Sequence, residues 1–568
     1  MTPAAAPLAT EPRRLDEAVA RVREAAPRWA RVSPAERAAV ARAMLAGLQR
    51  VAPRMVREAC AAKGLPLDAP AAGDEWIAGI YIALRALRQL VRSLEDLART
   101  GNTPVGRLGA TEDGRTTERV FPATPLDAVL FPTVGAEVHY LAGVGPVEAR
   151  ERRASFHKRG GHAGRVCLVL GAGNVNSIPI LDVATKLFNE GKACLLKMNP
   201  VNAYLGPILE EAFGDLVARG TLAVVYGGKD EGGYLARHPG VDEVHLTGSN
   251  ATHDALVWGP PGPERAARIA RNDPLLAKEI TSELGDISPV LVVPGEWDDR
   301  TLAFQAESVA GMMTQNGSFN CLAARIVVLP RGWRHRERFL ALVERFLRAT
   351  PPRRDWYPGA RERLAALVAG RTSVRAVTGA EGTLPWTLVT GLDADRDDPA
   401  YTTEAFCPAI LEASIGSEEP LEFLDRAVAF ANDRLRGTLS AQILAPAASI
   451  SDPALGPALR RAVRRLEYGS VGVNCFAGYA FAFGTTPWGG YPGRPLTDIR
   501  SGRGFVHNTR MLEGVEKSVV WGRPIQPLKP VYFPSHRTLH RLGPRLVALE
   551  AERRWTELPA IVALGLRA

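Results

Sequence analysis

Apolar positions recur at helical spacing through the first hundred residues. Residues 35–48 follow Ser33-Pro34, a capping side chain ahead of a first-turn proline, and residues 12 to about 100 are predicted to be helical. Residues 101–165 lose this period, with a strand-like piece at 128–131 and a basic run at 152–165. From Val166 onward short apolar runs alternate with amphipathic stretches. The predicted strands are 166–170, 194–198, 222–226 and 243–247, and the helices between them are 178–190, 205–219 and 232–238. These strands start 28, 28 and 21 residues apart, a spacing that specifies a parallel, doubly wound sheet. Such sheets bind nucleotides at the carboxyl ends of their strands. The second half repeats the alternation less regularly, with strands at 290–294, 326–329, 438–444 and 471–474 and helices at 336–348 and 421–432. Residues 534–568 read as a helical tail rich in Arg and Leu.

The chain has 568 residues, enough for two or three domains, with the 46% hydrophobic and 23% charged content of an ordinary globular protein. Disordered, collagen-like and fibrous readings are excluded. The net charge of +9 is diffuse: Arg13 to Arg23 enclose Asp16 and Glu17, and only nine of the 70 basic residues are Lys. A scattered excess describes a solvated surface, so no nucleic-acid partner is expected. Six cysteines lie at least 27 residues apart, which gives neither a CxxC pair nor a disulfide scaffold, and the ten histidines form no metal motif. The first residues lack a signal-peptide pattern, and the longest uncharged stretch, 468–493, holds seven glycines and two prolines. No membrane span is expected, and a cytoplasmic location is.

Candidate chemistry begins after the first strand. The loop Gly171-Ala-Gly173-Asn174-Val-Asn176 lacks the third glycine of a dinucleotide fingerprint, and the next strand ends in Leu196-Lys197 where an acid is needed. A simple Rossmann dehydrogenase is therefore disfavoured. Seven other segments stand in a telling order: Leu195-Leu-Lys197-Met-Asn-Pro200; Leu246-Thr-Gly248-Ser249; Ser282-Glu283-Leu-Gly285-Asp-Ile-Ser-Pro289; Asn316-Gly-Ser-Phe-Asn-Cys321; Thr403-Glu404-Ala-Phe406-Cys-Pro408; Ala431-Asn432-Asp433; and Val473-Asn474 leading to Pro487-Trp-Gly489-Gly490. Taken together, over Val166 to Gly490, the sequence resembles the aldehyde dehydrogenase superfamily.

That resemblance implies an α/β fold with two doubly wound parallel-sheet domains and a small oligomerisation element. The domains would be a cofactor-binding unit at 1–284 (with 110–160 a possible oligomerisation element), a catalytic unit at 285–490, a return and oligomerisation segment at 491–530, and the tail at 531–568. It implies NAD(P)-dependent oxidation of an aldehyde to a carboxylic acid. Cys321 would be the nucleophile that forms a thiohemiacetal and then a thioester, and Glu283 the base that activates water. A side-chain amide, Asn174 or its neighbour Asn176, would hold the oxyanion with the backbone N–H of Cys321. Lys197 would meet the adenosine ribose, Gly248 and Ser249 the pyrophosphate at a helix N-terminus, and Glu404 with Phe406 the nicotinamide ribose. His253 departs from the family, which often has a glycine there, as do about a dozen extra residues around 258–272. NAD and NADP both remain open, as do homodimer and homotetramer, with subunit contacts from 110–160 and 514–525. Two alternatives stand beside this reading: a coenzyme A-acylating dehydrogenase or acyl reductase, and a non-catalytic nucleotide-binding homologue. The aromatic-rich stretch 468–493 would border the aldehyde entrance.

Overall fold

The computed structural model describes residues 7–377 and 379–568. Two sheets organise them. The smaller runs in the order Gly502–Arg503, Glu279–Glu283, Glu243–Thr247, Val166–Leu170, Ala193–Lys197, Leu222–Val225. Its last five strands are parallel and only the short 502–503 strand runs antiparallel. Every residue of 166–170 and 193–197 is buried, as expected of strands covered on both faces. Val166, Leu168 and Leu195 share a core with Leu15 and Val19 of helix Pro12–Ala30. Cys167, Val169 and Leu196 face the opposite layer, with Ile180 and Leu181 of helix Ser177–Ala184.

The larger sheet has eleven strands, in the order Arg107–Ala110, Thr116–Phe121, Gly135–Tyr140, Val515–Trp521, Ser470–Val473, Ser440–Leu444, Pro289–Val292, Ile326–Pro330, Ala409–Ile415, Trp386–Asp393, Val374–Val377. The seven from 515–521 to 386–393 are parallel. Both ends are antiparallel, so the sheet is mixed and not purely parallel. The chain passes from the smaller sheet to the larger between Glu283 and Pro289.

Strands 107–110, 116–121 and 135–140 extend the larger sheet. Strand Val515–Trp521 is buried between 135–140 and 470–473. One expectation is corrected. The piece at 128–131, expected as strand, closes a short helix, Pro125–Leu130, because Thr124 and Asp127 form a reciprocal capping box at its start.

The N-terminal helices were legible. Ser33 caps helix Pro34–Lys63 through the Glu36 N–H, and Glu36 returns the bond. The tail forms helices Leu539–Glu552 and Leu558–Leu566, and the extra residues before Glu283 form the exposed helix Pro263–Arg271. Within 468–493, Tyr468, Phe483 and Trp488 are buried in the core, while Phe476, Tyr479 and Phe481 also line a cavity. Among the described residues no helix is long and apolar enough to cross a membrane, and no cluster of three potential ligands would hold a metal ion.

Candidate active site

Four features meet at the carboxyl ends of the smaller sheet. Strand Val166–Leu170 leads into the loop that carries Asn174, strand Ala193–Lys197 ends in Lys197, strand Glu243–Thr247 leads into Gly248 and Ser249, and strand Glu279–Glu283 ends in Glu283. The larger sheet supplies the opposing side. Helix Asp299–Thr314 delivers the loop that ends at Cys321, and Glu404 and Phe406 precede strand Ala409–Ile415.

Cys321 is partly exposed, whereas the other five cysteines are buried. It opens onto an apolar cavity of about 70 Å³, with Asn174, Val175, Ile178, Leu322 and Phe481 in its walls. The Glu283 carboxyl is almost fully buried. The Cys321 thiol and the Trp488 indole face it, yet neither is aligned as a full hydrogen bond, so both carboxyl oxygens remain unpartnered among the described residues. Burial, with the charge of Asp182 adding to it, pushes the Glu283 pKa up to about 7 against the pull of the thiol. Burial and the adjoining Glu283 push the Cys321 thiol well above its usual range. The carboxyl is thus placed beside the thiol it would have to deprotonate.

Asn174 and Asn176 part company. Asn174 lines the cavity, donates to the Phe319 carbonyl at 3.0 Å and accepts from the Asn316 amide at 3.0 Å through its own carbonyl. Asn176 turns away to the Tyr204 hydroxyl, 3.3 Å from its amide.

The groups expected to hold a cofactor are spread along the same edge. Lys197 Nζ donates to the carbonyls of Gly227 and Gly228 at 2.7 and 3.0 Å, and burial lowers its pKa to about 8. Ser249 caps helix Asn250–Val257 by accepting from the Thr252 N–H at 3.2 Å, and the Gly248 N–H donates to the Glu283 carbonyl at 3.0 Å. His253 is fully buried in that helix, where it contacts Asp254. The Glu404 carboxyl lies directly over Gly285, where a Cβ would sit 1.8 Å from its Oε2, so a side chain there would displace the carboxyl. Burial pushes Glu404 up to about 7 against the opposing pull of Arg325, and its Oε1 has no partner among the described residues. Phe406, with φ of 38°, packs on Tyr357 at 4.8 Å and on Phe319 at 6.0 Å.

Sequence reasoning missed the groups that hold the cysteine loop. Asn316, Gly317 and Ser318 all take left-handed backbone, at φ of 53°, 68° and 74°. Lys63 Nζ, at the end of helix Pro34–Lys63, donates to Asn316 Oδ1 at 2.9 Å, to Glu75 at 2.7 Å and to the Asn174 carbonyl at 3.4 Å. Asp74 accepts from the Asn316 N–H at 3.1 Å and pairs with Arg353 at 3.3 Å. From the other side, buried Arg325 donates to the Ser318 hydroxyl and to the Cys407 carbonyl, both at 2.6 Å. A lysine just before Gly64 reads in sequence as an ordinary basic residue closing a helix. Nothing in its neighbourhood signals a partner 253 positions away.

No family model matches the chain. Over 282 residues it is 27% identical to a betaine aldehyde dehydrogenase of Rhizobium leguminosarum bv. trifolii, covering 48% of this chain and 50% of the relative. Over 285 residues it is 30% identical to an aminoacetaldehyde dehydrogenase of Pseudomonas aeruginosa, covering 47% and 49%. The chain thus spans about half the length of the curated relatives it matches. In structure it is similar to gamma-glutamyl-gamma-aminobutyraldehyde dehydrogenase of Burkholderia cenocepacia, with TM-score 0.60, 21% identity, and 89% and 88% of the two chains covered. It is similar also to a Mycobacterium tuberculosis aldehyde dehydrogenase complexed with NAD+, with TM-score 0.59, 19% identity and 89% of each chain covered. At these identities the structural likeness shows the fold.

The Lys63 pairing is testable by stability alone. Lys63→Met strands a buried Glu75 carboxylate and should cost about 3–5 kcal/mol, read as a fall in the thermal midpoint. The double variant Lys63→Met/Glu75→Leu removes both charges and should recover most of that loss. A double variant no more stable than the single one would contradict the pairing.

Proposed function

We propose that this chain, a member of the aldehyde dehydrogenase superfamily by fold and, over about half its length, by sequence, oxidises an aldehyde to its carboxylic acid with NAD or NADP. The observation that carries the reading is the Cys321 thiol facing the unpartnered Glu283 carboxyl at the mouth of an apolar cavity.

In this reading Glu283 takes the thiol proton and the Cys321 sulfur attacks the aldehyde carbon. The amide of Asn174 and the backbone N–H of Cys321 stabilise the oxyanion. The nicotinamide cofactor, when bound, supplies the acceptor for the hydride that leaves the thiohemiacetal carbon. Glu283 gives the thiol's proton up to solvent, then accepts one from the water that attacks the Cys321 thioester, and hands it to the departing thiolate as the acid is released. Hydrolysis is favoured over transfer to coenzyme A because a buried carboxyl with a pKa of about 7 already stands beside the sulfur.

The chain's groups fit a dinucleotide. Lys197 at the end of its strand would meet the adenosine ribose, Gly248 and Ser249 the pyrophosphate, and the free Glu404 Oε1 with Phe406 the nicotinamide ribose. His253 is buried within the helix that Ser249 caps, so the pyrophosphate would meet the backbone N–H groups at that helix start. A cytoplasmic homodimer or homotetramer belongs to the same reading. Within the expected contact region 110–160, Val129, Leu141 and Val147 are exposed and would be available to a second copy.

Two measurements test the reading. Cys321→Ala should abolish NAD(P)H formation from an aldehyde panel while dinucleotide binding, followed by fluorescence, persists. Cys167→Ala and Cys194→Ala, inside strands of the smaller sheet, should keep turnover; equal loss in all three would misplace the nucleophile. The pH profile follows from Glu283 acting as a base: only its ionised form is active, so the rate should rise with pH through a limb near 7. Asp182→Asn removes a like charge that raises the Glu283 pKa, and should move that limb to lower pH. A limb unmoved by this change would separate Asp182 from the base.

A further inference from the structure

The C-terminal tail forms part of the wall of the cavity at Cys321. Val531 and Tyr532 stand in its wall, beside Phe476 and Tyr479. The Tyr532 ring packs on Phe476 at 5.2 Å and on Tyr479 at 5.8 Å, so tail and aromatic segment form one surface.

This wall is fixed to the helix that delivers the cysteine. The Tyr532 hydroxyl bonds Ser308 at 3.0 Å, and the Tyr532 carbonyl presses on Gly311, where a Cβ would lie 2.4 Å from the oxygen. Any side chain at Gly311 would push the tail out of the cavity. Farther along, the Ser535 N–H donates to Glu307 at 3.3 Å and Phe533 packs on Phe304 at 4.8 Å. Helix Leu539–Glu552 is held on the N-terminal helices: Leu539 sits over Gly73, Gly543 against Trp76, and Glu550 pairs with Arg88 at 3.1 Å.

The space beside this wall is small and apolar. About 70 Å³ holds on the order of five water-sized groups. None of the residues lining it is charged, and apart from Cys321 its main polar groups, Asn174, Gln315 and Asn320, cluster on the cysteine side. An ammonium group carried into such a wall would be desolvated with no carboxylate to meet it.

We propose that Val531 and Tyr532 of the tail are specificity-determining residues that confine the substrate to short, uncharged, apolar aldehydes of roughly five non-hydrogen atoms. The proposal rests on aldehyde oxidation at Cys321 for the reacting atom, while the wall itself rests on the tail's packing.

The test is a comparison of kcat/KM for butanal, octanal and 3-aminopropanal in the wild type, in Tyr532→Ala and in Val531→Phe. Wild type should favour butanal over octanal, and butanal over the equally sized 3-aminopropanal, by at least tenfold each. Tyr532→Ala should raise octanal relative to butanal tenfold or more, and Val531→Phe should lower it. Opposite shifts from two neighbouring changes cannot arise from general loss of fold. A second readout needs no turnover: methyl and octyl methanethiosulfonates label the Cys321 thiol, with mass spectrometry giving the rate. The octyl-to-methyl ratio should be low in wild type and rise about tenfold in Tyr532→Ala. A ratio and a chain-length order unmoved by Tyr532→Ala, or a preference for 3-aminopropanal, would overturn the proposal. Labelling that follows the expected order in a protein that oxidises no aldehyde would overturn the oxidation reading and leave the wall standing.

Discussion

Between helix Asp299–Thr314 and Cys321 the backbone takes three left-handed residues in succession, and two of them, Asn316 and Ser318, are not glycine. Each such residue costs on the order of 1–3 kcal/mol and persists only where its surroundings over-determine it. Here the surroundings are two buried cations. Lys63 holds the Asn316 side chain, and Arg325 holds Ser318. Their reach extends past the loop: Lys63 also contacts the Asn174 carbonyl, and Asn174 donates to Phe319 two residues before Cys321. The sulfur, the cavity amide and the N-terminal helix bundle are thus tied into one unit. Its polar groups satisfy one another in the interior, where an unmade hydrogen bond is costly.

A second constraint is electrostatic. Glu283 and Asp286 are buried and Glu404 is half-buried, and desolvation pushes each up to about 7. Their occupancies by protons are linked, since Glu283 responds to Glu404 and Glu404 responds to Asp286. Each keeps at least one oxygen without a partner among the described residues, and the other oxygen of Asp286 accepts from the Ser440 N–H and the Ser288 hydroxyl. Asp286 is thereby tied to the larger sheet, and Glu283 and Glu404 stay available to other chemistry.

Much of the smaller sheet was legible because five-residue apolar runs such as 166–170 can be buried only as central strands, and the helices between them keep a clear period. The antiparallel strands at 116–121 and 135–140 were not, since Thr116, Glu118 and His139 are buried polar residues that break any apolar alternation. Glu118 is buried there because Arg153 and the Tyr140 hydroxyl pair with it, partners that no local pattern reveals. At the site, Cys321, Glu283, Lys197 and Glu404 stood in recognisable segments. Choosing Asn174 over Asn176 required knowing where the loop turns, and Lys63 required knowing which helix packs behind it. The tail showed its helices through their period, but that Tyr532 reaches the cavity depends on the absence of a side chain at Gly311, far earlier in the chain.

The central claim is that Glu283 serves the sulfur of Cys321, and the most direct measurement is of the covalent state of that sulfur. Glu283→Gln keeps the shape of the side chain but accepts no proton. Mixed with butanal and a nicotinamide dinucleotide at alkaline pH, where hydroxide takes the thiol proton in place of Glu283, then quenched in acid and digested, this variant should yield the Cys321 peptide heavier by one butanoyl group, with wild type showing little of it at steady state. Hydroxylamine added before the quench should remove that mass by cleaving the thioester. An unmodified Cys321 peptide from a variant that still forms NAD(P)H at the wild-type rate would contradict the account.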